Sequence, residues 1–348
     1  MKLATTFLAA SAALILVGCN GSSESSTVVS GGGTDSSKTT KVGIVFDSGG
    51  RGDKSFNDSA WAGIEKAKKE MSIEVKDVDS KAAKDYEGNM TALADQGMDV
   101  IFAVGMTQQD ALKSVAAKYP NIKFAIIDGE VDAENVRNLK FMEEQGSFLA
   151  GYLAGLMTKS NKLGFVGGMD FPLIKKFEDG YIAGAKTANP AVEVLPGKYT
   201  GSWDDVTLGK AAAKVLYGSG ADIVYHAAGR AGLGVLDAAE EANKLAIGVD
   251  SDQDDVAKGH VLTSMVKHVD YAVFDTIKDV ADGKFTKGTK TYDLKVGGVG
   301  LSEFRFTKDL IGADKLAKVE EIKKKLVDGT VVAPKNNDEL KSYLAGLK

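Results

Sequence analysis

The sequence predicts an α/β protein made of two doubly wound parallel-sheet lobes joined by a multi-strand hinge. Two observations carry this expectation. From residue 41 onward, short runs rich in β-branched residues alternate with stretches of helical periodicity, which implies βαβ crossovers and sheets covered on both faces. The alternation then restarts near residue 162 and runs through a second set of similar length. Size agrees: 348 residues with 44% hydrophobic content can fill two cores at about 100–200 residues per domain.

The elements follow in order. KVGIVF (41–46) leads into 57–71, where Ala60, Trp61, Ile64, Ala67 and Met71 share a helical face. IEVKDV (73–78) precedes a helix reaching about Gln96, with Gly97 placed as its stop. DVIFAV (99–104), a helix near 108–119, FAII (124–127), a strand near 136–141 and a helix over 143–157 complete the first set. Gly151 and Gly155 in that helix form a GxxxG spacing; the apolar run around them is short, so tight helix packing in water is the reading. The second set has KLGFVGG (162–168), a helix near 172–188, a strand over 192–199, and a helix near 205–217 stopped by Gly218. It ends with ADIVYHAAG (221–229), a helix to about Asn243, and AIGVD (246–250). VLTSMV (261–266), a helix near 270–282, and short strands at 292–296 and 304–306 are too few for a third lobe. They read as crossovers, so that 41–141 with 266–286 forms lobe 1 and 142–265 with 287–348 forms lobe 2. A ligand site is expected in the cleft between the lobes.

Composition excludes several functions. A net charge of −5 speaks against a general nucleic-acid binder. One Cys in the whole chain excludes an intramolecular disulfide, a CxxC pair and a cysteine-rich zinc site. His226, His260 and His268 show no metal-pair spacing and there is no HExxH. Asp250-Ser251-Asp252-Gln253-Asp254-Asp255 imitates a calcium loop but lacks the Gly and Glu that such a loop needs. No nucleophile elbow is present. Lys323–Lys325 follow Glu320 and Glu321 and read as a solvated helix face. No metal, cofactor or catalytic residue is expected.

The lone Cys has a telling position. Residues 1–18 carry a positive charge at Lys2 and a mostly apolar run from Phe7 to Val17, too short to span a bilayer and suited to a signal peptide. Leu16-Val17-Gly18-Cys19 resembles a bacterial lipobox, which implies that Cys19 becomes a lipidated N-terminus, for example with palmitate, anchored through its acyl chains. Residues 19–40, dominated by Ser, Thr and Gly, then form a flexible tether. The expected location is the extracytoplasmic face of a cell membrane.

The richest local motif is Asp47-Ser48-Gly49-Gly50-Arg51-Gly52-Asp53-Lys54-Ser55-Phe56-Asn57, at the end of the first strand where doubly wound folds bind ligands. It is not a phosphate loop: Ser48 and Asp53 stand where a P-loop needs glycines, and Ser55 breaks the dinucleotide spacing. It offers carboxylates, amides and one aromatic ring. With the Asp58 that follows, the string resembles the opening signature of the basic membrane protein family, the PnrA-like lipoproteins. The resemblance continues at Ala125–Gly129, Glu144–Ala154, Phe177–Tyr181, Gly201–Asp205, Ala227–Gly229, Gly248–Asp250 and Ser264–Lys267.

That resemblance implies a type I periplasmic-binding-protein fold and the substrate-binding role of an ABC importer. It also implies a monomer that takes a purine nucleoside and hands it to a membrane permease. By the same resemblance a base stacks between Phe56 and Phe177, Asn57 and Asp128 bind its edge, and Asp250 and Lys267 hold the ribose. Gly229 allows close backbone approach, and Asp47, Asp53 and Trp203 line the site. Arg51 is left facing either solvent or the cleft mouth. Two alternatives stay open: the same fold binding a sugar or other small polar solute, and a nucleoside-processing enzyme.

Overall fold

The computed structural model describes residues 39–347; the signal peptide, Cys19 and nearly all of the tether lie outside the described residues. The first set of elements is β1 (Thr40–Phe46), α1 (Phe56–Glu70), β2 (Ile73–Asp79), α2 (Tyr86–Asp95), β3 (Val100–Val104), α3 (Gln109–Lys118), β4 (Lys123–Ile127) and β5 (Val136–Phe141). Helix α4 (Glu143–Met157) leads to β6 (Lys162–Gly167), α5 (Pro172–Ala188), β7 (Glu193–Val194), β8 (Lys198–Tyr199), α6 (Val206–Gly218), β9 (Ile223–Ala227), α7 (Gly232–Glu241), β10 (Leu245–Asp250) and β11 (Val261–Lys267). Then come α8 (Val269–Ala281), β12 (Gly288–Tyr292), β13 (Val299–Leu301), α9 (Lys308–Ile311), α10 (Ala313–Val327) and α11 (Asn337–Gly346).

The first sheet runs β2-β1-β3-β4-β5-β12 and the second β7-β6-β9-β10-β11-β13, with β8 also pairing β6. Every pairing is parallel except β11 with β13. The two lobes therefore repeat one strand order, the doubly wound order whose switch point lies beside the first strand of each set. Their strands are buried along most of their length, as sheets covered on both faces require. Helices α1 and α8 pack together on the first lobe, α2 with α3 on its other face, and α4 with α5 and α6 with α7 cover the second sheet. The chain passes between the lobes after Phe141, after Lys267 and after Tyr292.

Helices α4 and α5 approach so closely that glycine is required at their contact. A Cβ added at Gly151 would overlap the carbonyl of Tyr181, one at Gly184 the carbonyl of Phe148, and one at Gly155 would lie 2.6 Å from Ala185 O. The GxxxG spacing thus serves backbone packing inside one lobe. Gly97, at φ +68, ends α2 as expected.

Five local expectations are corrected. The strand expected at 292–296 lies earlier, at Gly288–Tyr292, and pairs with β5, so these residues belong to the first sheet rather than to lobe 2. GTKTY is an edge strand with a mostly exposed polar face, so it carries no hydrophobic alternation to read. Phe304–Phe306 is not a strand: Phe304 sits at φ +57 and a turn follows, while β13 lies just upstream at Val299–Leu301. The strand expected over 192–199 is split into β7 and β8 around Pro196, which has no N–H for a ladder. Gly218 remains inside α6, and the reversal falls at Gly220, φ +101. Residues 266 and 267 likewise complete β11 of the second sheet.

Candidate functional site

The strand ends of both lobes face one cleft, the place where a two-lobed α/β fold takes a small molecule. All ten residues singled out from the sequence line it: Asp47, Asp53, Phe56, Asn57 and Asp128 from the first lobe, Phe177, Trp203, Gly229, Asp250 and Lys267 from the second. Gly49, Gly105, Met106, Thr107, Leu173, Ile174, Ala227, Arg230 and Val249 line it as well.

Backbone geometry explains how the polar groups arrive there. Asp128 follows β4 and Asp250 ends β10, strands holding the same place in the two sheets, and both adopt left-handed φ, +66 and +64. Few residues besides glycine, Asn and Asp take that conformation readily, and strain of this kind clusters at ligand sites. Gly105 (φ +110) and Gly229 (φ +56) follow β3 and β9 in the same symmetric way.

The loop between β1 and α1 is ordered by its own carboxylates. Asp53 accepts from the backbone N–H of Ser55, Asn57 and Asp58 and from Asn57 Nδ2, at 2.8–3.1 Å. It takes up free N–H groups of the first turn of α1, so its carboxylate faces the loop's own amides more than the cleft. Asp47 accepts from Gly49 N–H and from Asn57 Nδ2, both at 2.9 Å. Two carboxylates thereby hold the amide nitrogen of Asn57, which fixes the orientation of the amide and leaves Oδ1 buried without a partner among the described residues. Asp128 Oδ1 is likewise an unpaired buried acceptor.

Lys267 is the electrostatic centre. It is 1% exposed, with Nζ 2.6 Å from Asp128 Oδ2 and 3.2 Å from Glu143 Oε1. The same ammonium lies 5.1 Å from the centroid of Phe56, 5.0 Å from Phe141 and 5.6 Å from Phe177, within cation–π range. Burial disfavours its charge, but Asp128, Glu143 and Asp250 outweigh burial and raise its pKa, so it stays protonated. Glu143 escaped the sequence reading; its only signal was an acidic pair opening a helix directly after a strand.

Burial pushes the Asp250 carboxyl up to about 7, opposed by Lys267 and the Ser55 hydrogen bond. It pushes Asp47 up to about 6, against the hydrogen bonds from Asn57 and Gly49. A carboxyl with a raised folded pKa binds more protons folded than unfolded, so stability falls as pH rises through the interval between the two values. His226, lowered to about 4 by burial, works in the opposite sense, but Glu144 (about 7) and Asp179 (about 6) add to the carboxyl side. The thermal midpoint is therefore expected to rise as pH is lowered from 8 to 5, and Asp250→Asn to flatten that dependence. A midpoint that falls over this range in the wild type would contradict the assignment.

Arg230 was also missed. It lines the cleft from the turn after β9, and its Nη2 donates to Arg51 O at 2.7 Å. The Arg51 side chain itself turns to the lobe surface, stacked 4.8 Å from the Trp61 ring and paired with Asp77 at 2.6 Å. Trp203 covers Gly168, where a Cβ would overlap its indole, and its carbonyl accepts from Ala231 N–H at 3.1 Å. Among the described residues no group of His, Cys, Asp and Glu is arranged to hold a metal ion, and no helix is long and apolar enough to cross a membrane.

Comparison with known proteins agrees with this architecture. The chain is 39% identical over 345 residues to the CD4+ T-cell-stimulating antigen of Listeria monocytogenes serovar 1/2a, covering 92% of this chain and 94% of that protein. It is 36% identical over 355 residues to the ABC transporter nucleoside-binding protein BmpA of Lactococcus lactis subsp. cremoris, covering 95% and 98%. Among solved structures, an ABC transporter solute-binding protein from Aeropyrum pernix superposes with a TM-score of 0.80 at 31% identity, over 88% of this chain and 97% of that one. Two lobes of parallel-dominated sheet around a cleft make this a type I solute-binding fold. The family model described as ABC transporter substrate-binding protein, PnrA-like, matches residues 40–337, and the chain belongs to that family.

Proposed function

We propose that the protein is a lipid-anchored extracytoplasmic receptor that holds a purine nucleoside between its lobes and passes it to an ABC permease. One observation carries the ligand class. A phenyl ring from each lobe, Phe56 and Phe177, shares a single cavity with unpaired acceptor oxygens on Asn57 and Asp128. Two rings suit a flat heterocycle, and a stacked base is worth about 1–3 kcal/mol. The acceptors suit N–H groups on its edge, because a buried acceptor without a donor is costly. Asp250 and Lys267 supply an acceptor and a donor for ribose hydroxyls. The cleft carboxylates of Asp47 and Asp53 disfavour a phosphate. The printed name of the Lactococcus lactis relative supports a nucleoside. The anchor reading rests on Leu16-Val17-Gly18-Cys19, outside the described residues.

Titration calorimetry of the chain lacking residues 1–18 against purine nucleosides, pyrimidine nucleosides and sugars tests the reading. Binding is expected with purine nucleosides, weakened at least tenfold, about 1.4 kcal/mol, by Phe56→Ala and by Asp128→Ala. Heat with a sugar and none with any nucleoside would sink it.

A further inference from the structure

Beyond the cavity walls, a second set of contacts joins the lobes directly. Residues 51–55 of the first lobe present three carbonyls and one hydroxyl to the second. Gln253 Nε2 donates to Lys54 O at 3.0 Å, Ser251 Oγ to Ser55 O at 3.0 Å, and Arg230 Nη2 to Arg51 O at 2.7 Å. Ser55 Oγ donates to Asp250 Oδ2 at 2.6 Å. Ser55 and Gln253 are both buried, yet neither lines the cavity.

Both partners are pre-shaped for this contact. On the first lobe, Asp58 accepts from Gly52 N–H (2.7 Å) and Lys54 N–H (2.9 Å), and Asp53 takes the N–H of Ser55. The loop's amides are thereby drawn to its own carboxylates, and its carbonyls are left for the other lobe. Gly52 at φ +86 and Lys54 at φ +55 make the turn that does this. On the second lobe, Gln253 Oε1 accepts from Val249 N–H at 2.9 Å and pairs with His226 Nε2 at 3.0 Å. The oxygen is thus held inward, and the amide NH₂ is turned toward Lys54. His226 is a neutral ring inside β9, so it serves as the donor that locks this rotamer.

We propose that this contact is a protein–protein latch that stabilises the closed lobes independently of solute, making Ser55, Ser251 and Gln253 determinants of how long a solute is held. Direct hydrogen bonds between the lobes favour the arrangement in which they are made, and a solute that binds that arrangement inherits the bias. Ser55, Ser251 and Gln253 do not themselves line the cavity, so removing them acts on release more than on capture. The latch is indifferent to the chemistry of the solute, so it stands apart from the nucleoside reading.

The test compares the wild type with Ser55→Ala/Ser251→Ala, which removes little volume, and with Gln253→Ala. Small-angle scattering without solute reads closure by itself, and stopped-flow binding of inosine reads the rates. The variants are expected to have a larger radius of gyration than the wild type without solute. They should release inosine about tenfold faster, with association changed less than threefold. Unchanged scattering in both variants would overturn the latch, as would a loss of affinity carried by association alone. If no nucleoside binds the wild type, the nucleoside reading falls, while scattering still decides the latch.

Discussion

Lys267→Ala is expected to cost about 3–5 kcal/mol of folding stability at neutral pH, the loss that follows when one partner of a buried ion cluster is removed. The side chain is 1% exposed and its ammonium offsets Asp128 and Glu143 by direct contact. Asp250 adds to the field that keeps it charged. Without it, Asp128 and Asp250, already pushed up by burial, lose their counter-charge and must take up protons or stay ionised in a poor solvent. The sign with pH follows. Protonation neutralises the stranded carboxyls, so the gap between variant and wild type narrows from pH 8 to pH 5. Urea unfolding at both pH values measures this. A loss under ~1 kcal/mol at pH 8, or a gap that widens toward pH 5, would show that Lys267 is not the counter-charge. Binding is expected to be lost as well, because the same ammonium lies against Phe56 and Phe177 in the cleft.

Gly184→Ala is expected to destabilise by at least ~3 kcal/mol, the upper end of overpacking costs. The added methyl would overlap the Phe148 carbonyl and lie 2.8 Å from Tyr152 N, so backbone of α4 must move rather than a side-chain tip. Backbone atoms are the hardest neighbours to displace in a close-packed interior. Gly88 in α2 supplies the control. It has nothing within 4 Å of an added Cβ and no positive φ. Gly88→Ala is therefore expected to stabilise by about 0.4–1 kcal/mol through helix propensity and a less flexible unfolded chain. Thermal melts of the two variants beside the wild type decide the matter. Equal midpoints for Gly184→Ala and the wild type would mean that the helices are not in backbone contact.

Much of the architecture was legible because its signals are local. Helices α4 and α5 fall on the expected residues, 143–157 and 172–188, since their periodicity and the Pro172 start sit within one window. Strands β1, β5, β6 and β10 are likewise short apolar runs bounded by turns. The misreadings fall where that signal is missing: a polar edge strand, a proline-split strand, and Phe304–Phe306, whose apolar spacing belongs to a turn. The candidate site was legible through the family resemblance, which pointed to ten residues, and all ten line one cavity. Glu143, Arg230 and Gln253 were not legible, because each matters through a partner far away in sequence. Gln253 meets Lys54 across 199 positions and Arg230 meets Arg51 across 179.

The alternation of strand and helix, the restart that makes two lobes, the family, and the residues near strand ends can all be read in chain order. What each of those residues faces cannot, and depends on how the lobes assemble. Asp53 and Asp128 are the same residue type in loops that follow first-lobe strands, yet one is consumed by the amides of α1 and the other meets a lysine from the opposite lobe. Propensity and periodicity act over a few residues and so are written in the order of the chain. The charge state of a carboxylate and the partner of a carbonyl depend on which distant segments close around it, and that is set when the two lobes come together around the cleft.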